Sequence, residues 1–295
     1  MFRSPLRYPG GKALMAPFIA EILTVNNMHN VRYVEPYAGG AGAALNLLLS
    51  NAVDTIQIND ANVGIFSFWY YLLSEPNRFI DYVERMPISI EQWQIEHKIV
   101  LDENTPSLEL GVATFYLSRT NRSGVISAGP IGGNSLEKQA KAEYKIDCRF
   151  NRKELIARLR TIVSYKDRII VTQEDALKLL KKLDPLNAFV YLDPPYYVKG
   201  KSLYMNHYHC AEHKELSDLL YNAQFPWLLS YDDVSEIRSM YRMLELYNFQ
   251  LPYTVNRVKK GMELMTHSRD IKLPRELEIY RPGSKNIKIY PIVIN

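Results

Sequence analysis

The chain has little sulfur chemistry to offer. Its 295 residues include two cysteines, Cys148 and Cys210, too few for a disulfide framework. A reducing cytoplasm is therefore the expected setting. No apolar run is long enough to span a bilayer, and the amino-terminal "MFRSPLRYPGGK" has no stretch of signal-peptide length. No membrane partner is expected. Repeats and low-complexity tracts are lacking. Two phosphate-binding signatures are also missing: the strict G-x-G-x-x-G dinucleotide spacing, and the P-loop, because Lys12 of "RYPGGK" precedes alanine. ATP hydrolysis is thereby disfavoured.

What remains is an ordinary globular composition, 47% hydrophobic and 23% charged, with a net charge of +4. That charge is unevenly spread. Residues 145–168, "KIDCRFNRKELIARLRTIVSYKDR", hold eight Lys or Arg against three Asp or Glu, more excess than the whole protein carries. A solvated helix face is the ordinary explanation, and a phosphate backbone is the functional one.

Short β-branched or aromatic runs alternate with helical patterns. "RYVEP" (32–36), "TIQIN" (55–59), "RIIVT" (168–172), "NAFVYLD" (187–193) and "PWLLSYD" (226–232) read as strands. "AGAALNLLLSN" and "ANVGIFSFWYYLLS" read as helices, with another from about Ser235 to Leu246. This alternation predicts an α/β fold, a Rossmann-like, doubly wound and mostly parallel sheet. "FQLPYTVNRV" and "NIKIYPIVIN" suggest a closing antiparallel pair joined by a long polar connection. From about Pro76 to Ile162 the rhythm breaks, and a mainly helical insertion is expected. Residues 1–75 and 163–295 would then form one domain and 76–162 another.

Three stretches carry chemistry. In "YVEPYAGGAG" a strand ends at Glu35 and a glycine turn, Gly39, Gly40 and Gly42, opens a helix. A second strand ends in Asp60, 18 residues beyond Gly42. A carboxylate at that strand tip suits ribose hydroxyls and an adenosine-containing cofactor, although aspartate is equally a good helix N-cap. "RYPGGK" offers Tyr8 and Lys12 beside a second glycine turn. In "FVYLDPPYYVKGK" an apolar strand stops abruptly at Asp193-Pro194-Pro195-Tyr196. Proline cannot donate to a sheet ladder and fixes its own φ, so a stiff platform follows at the carboxyl end of the strand.

In that order, "RYPGGK", "VEPYAGGAG" and "LDPPY" resemble the motifs of the DNA adenine methylase family, the N6-adenine-specific, S-adenosylmethionine-dependent enzymes. "NRSGVI" and "WLLSYDDVSEIRSMY" extend the resemblance over most of the chain. It implies a catalytic set of Asp193, Pro194, Pro195 and Tyr196, with the Tyr196 ring offered to an extruded base. It also implies a cofactor set of Tyr8, Lys12, Glu35, Gly39, Gly40, Gly42, Asp60, Asp175 and Asp193, an inserted DNA-recognition subdomain, and double-stranded DNA as partner. Arg119, Asn121 and Arg122, in "LSRTNRSGVISAGPIGG", join Arg149, Arg152 and Lys153 as the expected DNA contacts, because arginine pairs with guanine and asparagine with adenine. This loop departs from the GATC-methylating members, whose recognition loop is richer in tyrosine. RNA adenine methylation and a catalytically inactive DNA-binding relative are the alternatives.

Cys148 and Cys210 lack the Pro-Cys setting of cytosine C5 methylation. "HYHCAEH" (207–213) has the residue types of a metal site, but methyl transfer needs no metal, and a loop running into a helix is expected. A monomer is expected.

Overall fold

The computed structural model describes residues 1–197, 208–255 and 257–293. Apolar strands β1 (Arg32–Glu35), β2 (Thr55–Asn59), β3 (Ile169–Thr172), β4 (Ala188–Leu192) and β5 (Trp227–Asp232) lie parallel in the order β3-β2-β1-β4-β5. β4 and β5 are buried at every position, as expected of strands covered on both faces. Helices α1 (Ala16–Val25), α2 (Gly42–Leu49) and α3 (Val63–Ser74) precede the interruption, and α9 (Ala176–Lys181) and α10 (Cys210–Tyr221) follow it.

The remaining strands pair antiparallel. β6 (Leu246–Val255) and β7 (Arg257–His267) form an antiparallel hairpin, and β7, not β6, pairs with β5. β9 (Ile287–Pro291) adds antiparallel to β6, and β8 (Glu278–Ile279) adds to β9. The sheet is thus mixed, not mostly parallel. The expected β6–β9 pairing is present. The segment thought to be a polar connection instead supplies β7 at the heart of the sheet, and the helix expected to reach Leu246 is only α11 (Ser235–Met240).

Between α3 and β3 lie α4 (Pro76–Arg85), α5 (Ile90–Asp102), α6 (Leu108–Thr120), α7 (Leu136–Lys141) and α8 (Arg152–Val163). Among the described residues of 76–163 there is no strand, only an isolated bridge between Asn121 and Pro130. Side chains of Ser89, Ser107, Ser135 and Asn151 cap α5, α6, α7 and α8 by accepting backbone N–H bonds. Every residue of α6 except Glu109 is buried. Its Phe115 stacks on Phe68 of α3 at 5.8 Å between ring centroids, and Phe79 of α4 packs edge-on to Phe68 at 5.6 Å. These helices share one apolar cluster with α3 and the sheet. No helix among the described residues is long and apolar enough to cross a membrane.

The α3–α6 contact is close enough to require glycine. A Cβ on Gly111 would stand 2.7 Å from the Ser67 carbonyl oxygen and 3.0 Å from the Phe68 nitrogen. Gly111→Ala gains about 1 kcal/mol of helix propensity but overpacks a rigid backbone contact at about 1–3 kcal/mol. The expected outcome is a lower urea midpoint; an unchanged or raised midpoint would show that the two helices can part freely.

Candidate active site

A cleft of about 180 Å³ opens at the carboxyl ends of the parallel strands. The strand order reverses between β1 and β4, and in open α/β sheets a ligand crevice forms at that switch point. The turn after β1 is held on three sides. The Gly39 N–H donates to Asp60 Oδ2 at 2.9 Å, the Gly39 carbonyl accepts from Trp69 Nε1 of α3 at 2.9 Å, and the Ala44 N–H donates to Glu35 Oε1 at 2.9 Å. Gly39 has φ +46°, and a Cβ there would lie 2.6 Å from the Tyr8 ring, so only glycine suits this position.

The expected cofactor residues all line this cleft: Tyr8, Lys12, Glu35, the three glycines, Asp60, Asp175 and Asp193. Asp60 and Asp175 also do local work: Asp60 holds the turn before α3, whose N-cap is Asn62 rather than Asp60, and Asp175 caps α9. Asp60 Oδ1 accepts from the Asn62 N–H at 2.9 Å, and Asp175 Oδ1 accepts from Lys178 N–H at the start of α9 at 3.0 Å. Burial lifts the Asp60 carboxyl to about 6, against the opposing bonds from Asn62 and Gly39. Four acidic side chains, with Glu35 protonated near neutrality, and one lysine make a lining suited to a cationic, hydroxyl-rich ligand and hostile to a polyphosphate.

At the tip of β4 the residues form a tight polar knot. Lys12 Nζ sits 3.0 Å from Asp193 Oδ1 and donates to the Tyr196 hydroxyl at 3.0 Å. Ser230 of β5 donates to Asp193 Oδ1 at 3.2 Å and pairs with the Tyr191 hydroxyl at 2.8 Å. The Tyr196 hydroxyl donates to Glu263 Oε1 of β7 at 2.9 Å. Burial raises the Asp193 carboxyl; Lys12 and Ser230 oppose the rise. Tyr196 is itself buried, 7% exposed, with Lys12 Nζ 5.2 Å from its ring centroid. The expectation of an open ring face at Tyr196 is corrected: the hydroxyl is anchored inward and the ring is a strut of the site. Pro194 is buried, and Pro195 lines the cleft.

A second cleft, of about 850 Å³, adjoins the first. It is lined by Arg3, Arg7, Arg119, Arg122, Arg149 and Arg158 against a single acid, Glu154. Residues 3–8 divide the two clefts: Ser4, Leu6 and Tyr8 line the acidic one, while Arg3 and Arg7 line the basic one, with Ser4 touching both. Burial and the nearby Arg149 lower the Arg7 pKa, a mark of crowded like charge.

Three of the expected DNA contacts are corrected by this geometry. Arg119 is 8% exposed, and its guanidinium donates to the carbonyls of Pro5 at 2.5 Å and Ser4 at 2.9 Å, clamping the amino-terminal segment. Asn121 is fully buried; its Oδ1 accepts from Trp93 Nε1 at 2.6 Å and its Nδ2 donates to the carbonyls of Val125 and Ile126. Arg152 donates to the Glu84 and Met86 carbonyls, tying α8 to α4. Each already commits donors to backbone carbonyls. Arg122 and Arg149 are exposed at the basic cleft, and Lys153 is exposed on α8 outside its lining. Glu263, Ser230, Arg3, Arg7 and Arg158 were not singled out from the sequence; the two arginines of "FRSPLRYPGGK" stood beside a motif read for its glycines and lysine.

Of the histidine-rich stretch, His207 lies outside the described residues. His209 caps α10, and His213 Nδ1 bonds the Tyr231 hydroxyl in the core. Among the described residues no three His, Cys, Asp or Glu side chains are grouped to hold a metal.

The family described as D12 class N6 adenine-specific DNA methyltransferase matches residues 8–255. No curated protein sequence matches the chain. Similar solved structures include a conserved hypothetical protein of Streptococcus pyogenes, at 10% identity and TM-score 0.32, covering 84% of this chain and 94% of that one. A putative class I S-adenosylmethionine-dependent methyltransferase of Listeria monocytogenes gives 12% identity and TM-score 0.40, covering 94% and 66%. The rRNA methyltransferase aviRa of Streptomyces viridochromogenes gives 13% and 0.34, covering 89% and 86%.

Glu35 yields a pH prediction. Burial lifts its carboxyl from 4.5 to about 8, although the Tyr33 hydroxyl and the Ala44 N–H both donate to Oε1. Since the folded state holds this proton more tightly than the unfolded chain, the Glu35 contribution is complete below about 4.5. It is withdrawn at up to about 1.4 kcal/mol per pH unit as pH rises toward about 8. Glu35→Gln should flatten the fall in denaturant stability across that window; an equal fall in both proteins would show that the carboxyl ionises freely.

Proposed function

The chain belongs to the D12 class N6 adenine-specific DNA methyltransferase family, and from that premise we propose that it moves a methyl group from S-adenosylmethionine to N6 of an adenine extruded from double-stranded DNA. The observation that carries this reading is Asp193, fixed at the tip of β4 by Lys12 and Ser230 inside the acid-lined cleft. A sulfonium, an ammonium and ribose hydroxyls are the groups such a lining would favour. The bound cofactor supplies a methyl group on positively charged sulfur. Asp60 keeps lone pairs for ribose hydroxyls beyond the two backbone bonds it accepts, and Tyr8 closes the cleft against Gly39.

The adenine amine is a poor nucleophile because its lone pair is delocalised into the ring. Asp193 and the Pro194 carbonyl are the two acceptors for its two N–H bonds. Bonds that strengthen as positive charge grows on nitrogen lower the barrier, and the consecutive prolines hold the acceptors in place. The target atom cannot be reached inside a duplex, so the base is taken out of the stack.

β1 to β6 all run one way, with β7 reversed between β5 and β6, an order that supports a doubly wound, Rossmann-like class I methyltransferase core. We assign target recognition to residues 76–162 and cofactor binding with catalysis to 1–75 and 163–295. Arg3, Arg7, Arg122, Arg149 and Arg158 are the phosphate contacts this reading uses, with Arg119 acting behind them. The two free, exposed cysteines suit a reducing cytoplasm.

Three measurements check the proposal. With methyl-tritiated cofactor and mixed-sequence duplex, label is expected in N6-methyladenine; label confined to single-stranded RNA would favour the RNA alternative. Asp193→Ala should lose transfer by about 100-fold or more while keeping DNA binding, whereas an inactive DNA-binding relative would show no transfer in either protein. Affinity for DNA should fall steeply with salt, and Arg149→Ala should reduce the slope by about one contact; an unchanged slope would remove Arg149 from the interface.

A further inference from the structure

We propose that Glu263 is a positioning residue for methyl transfer: it is the second carboxylate onto which Lys12 moves when the target amine takes up its place at Asp193. This rests on the assignment of Asp193 as the acceptor of that amine. Lys12 Nζ is 3.0 Å from Asp193 Oδ1 and 3.6 Å from Glu263 Oε2, so one ammonium stands within reach of both acids. The Lys12 and Glu263 side chains are 3% and 2% exposed, and Asp193 is 21% exposed toward the cleft. Only Asp193 of the pair is open to a substrate.

The resting arrangement is therefore self-blocked. Asp193 Oδ1 already receives Lys12 and the Ser230 hydroxyl, and a carboxylate neutralised by an ammonium is a weak acceptor for a second amine. Lys12 must withdraw for Asp193 to act. Leaving a buried ammonium without a partner is strongly unfavourable, and Glu263 removes that cost over a short side-chain rotation. The receiving carboxylate is fixed in advance, since the Tyr196 hydroxyl donates to its Oε1 and leaves Oε2 toward Lys12. Tyr196 belongs to the same Asp-Pro-Pro-Tyr platform, which joins acceptor and relay in one rigid unit.

Charge favours the same sequence of events. Lys12, Asp193 and Glu263 together carry one positive and two negative charges. With Lys12 on Glu263, the Asp193 charge is uncompensated where positive charge develops on N6. Glu263 comes from β7, opposite Asp232 at the end of β5 in the register, so the relay needs the antiparallel strand. The other groups whose charge reaches Asp193 are Glu35 and the tyrosines 33, 191 and 231.

Glu263→Gln keeps an acceptor for Tyr196 and removes the charge. In the cofactor-free, full-length protein, carbon-13 NMR of the Asp193 carboxyl should show its titration displaced downward by about one unit, because Lys12 then pairs with Asp193 alone. The acid limb of kcat/KM for DNA methylation should move to lower pH in step. The turnover number should fall about 10–100-fold with cofactor affinity held. Glu263→Asp, which withdraws the carboxylate by one methylene, carries the same signs at smaller amplitude and serves if the glutamine variant fails to fold. A folded variant with an unmoved Asp193 titration and acid limb would overturn the proposal, even if its stability had dropped. If the wild-type protein methylated no adenine, the functional reading would fall, while the titration would still decide whether Glu263 shares Lys12 with Asp193.

Discussion

The buried ion pair between Lys12 and Asp193 is the contact on which the rest of the site depends. One partner sits on the amino-terminal segment and the other at the tip of β4, so the pair ties the first turn of the chain to the centre of the sheet. An ammonium this enclosed persists only because carboxylates surround it. The carboxylates need it equally, since burial alone raises Asp193 toward its neutral form. The pair thus opposes the rise of the Asp193 carboxyl and ties the amino-terminal segment to the sheet.

That segment sorts charge. On one side lies a cleft with four acidic side chains, on the other a cleft with six arginines, and alternating side chains face each. A cationic cofactor and an anionic backbone are thereby drawn to opposite sides of one strap a few residues wide. Arg119 and Asn121 serve this arrangement from beneath, the first holding the Ser4 and Pro5 carbonyls and the second accepting from Trp93. Their polar groups satisfy the interior, as buried polar groups must.

Much of this was legible in the chain because its strands are short, apolar and bounded by turn residues. β1 to β5 lie where the alternation put them, and the glycine turns, Asp60 and the Asp-Pro-Pro-Tyr stop converge on one cleft. Two kinds of error have physical causes. Arg119 and Asn121 were chosen for their donor chemistry, but α6, "LELGVATFYLSRT", is mostly apolar or small and exposes only Glu109, which marks a buried helix; burial, not side-chain type, decides what a donor can reach. β7 was missed because Lys259, Lys260 and Gly261 break up its pattern. Its "MELMTH" stretch holds a buried Glu263 whose partner, Lys12, is some 250 residues away in sequence, and no local spacing can reveal such a pairing.

The central claim concerns coupling, and a double-mutant cycle on Lys12→Met and Asp193→Asn measures it directly. Lys12→Met leaves the Asp193 and Glu263 carboxylates without their cation and should destabilise the protein strongly, by roughly 3–5 kcal/mol where the pair is enclosed; Asp193→Asn, after which Lys12 still has Glu263, should cost less. The account predicts that the double variant is more stable in denaturant than the sum of the singles by more than about 1 kcal/mol. Simple additivity within about 0.5 kcal/mol would mean the two side chains act independently, and the amino-terminal segment would then have to be held on the sheet by something else.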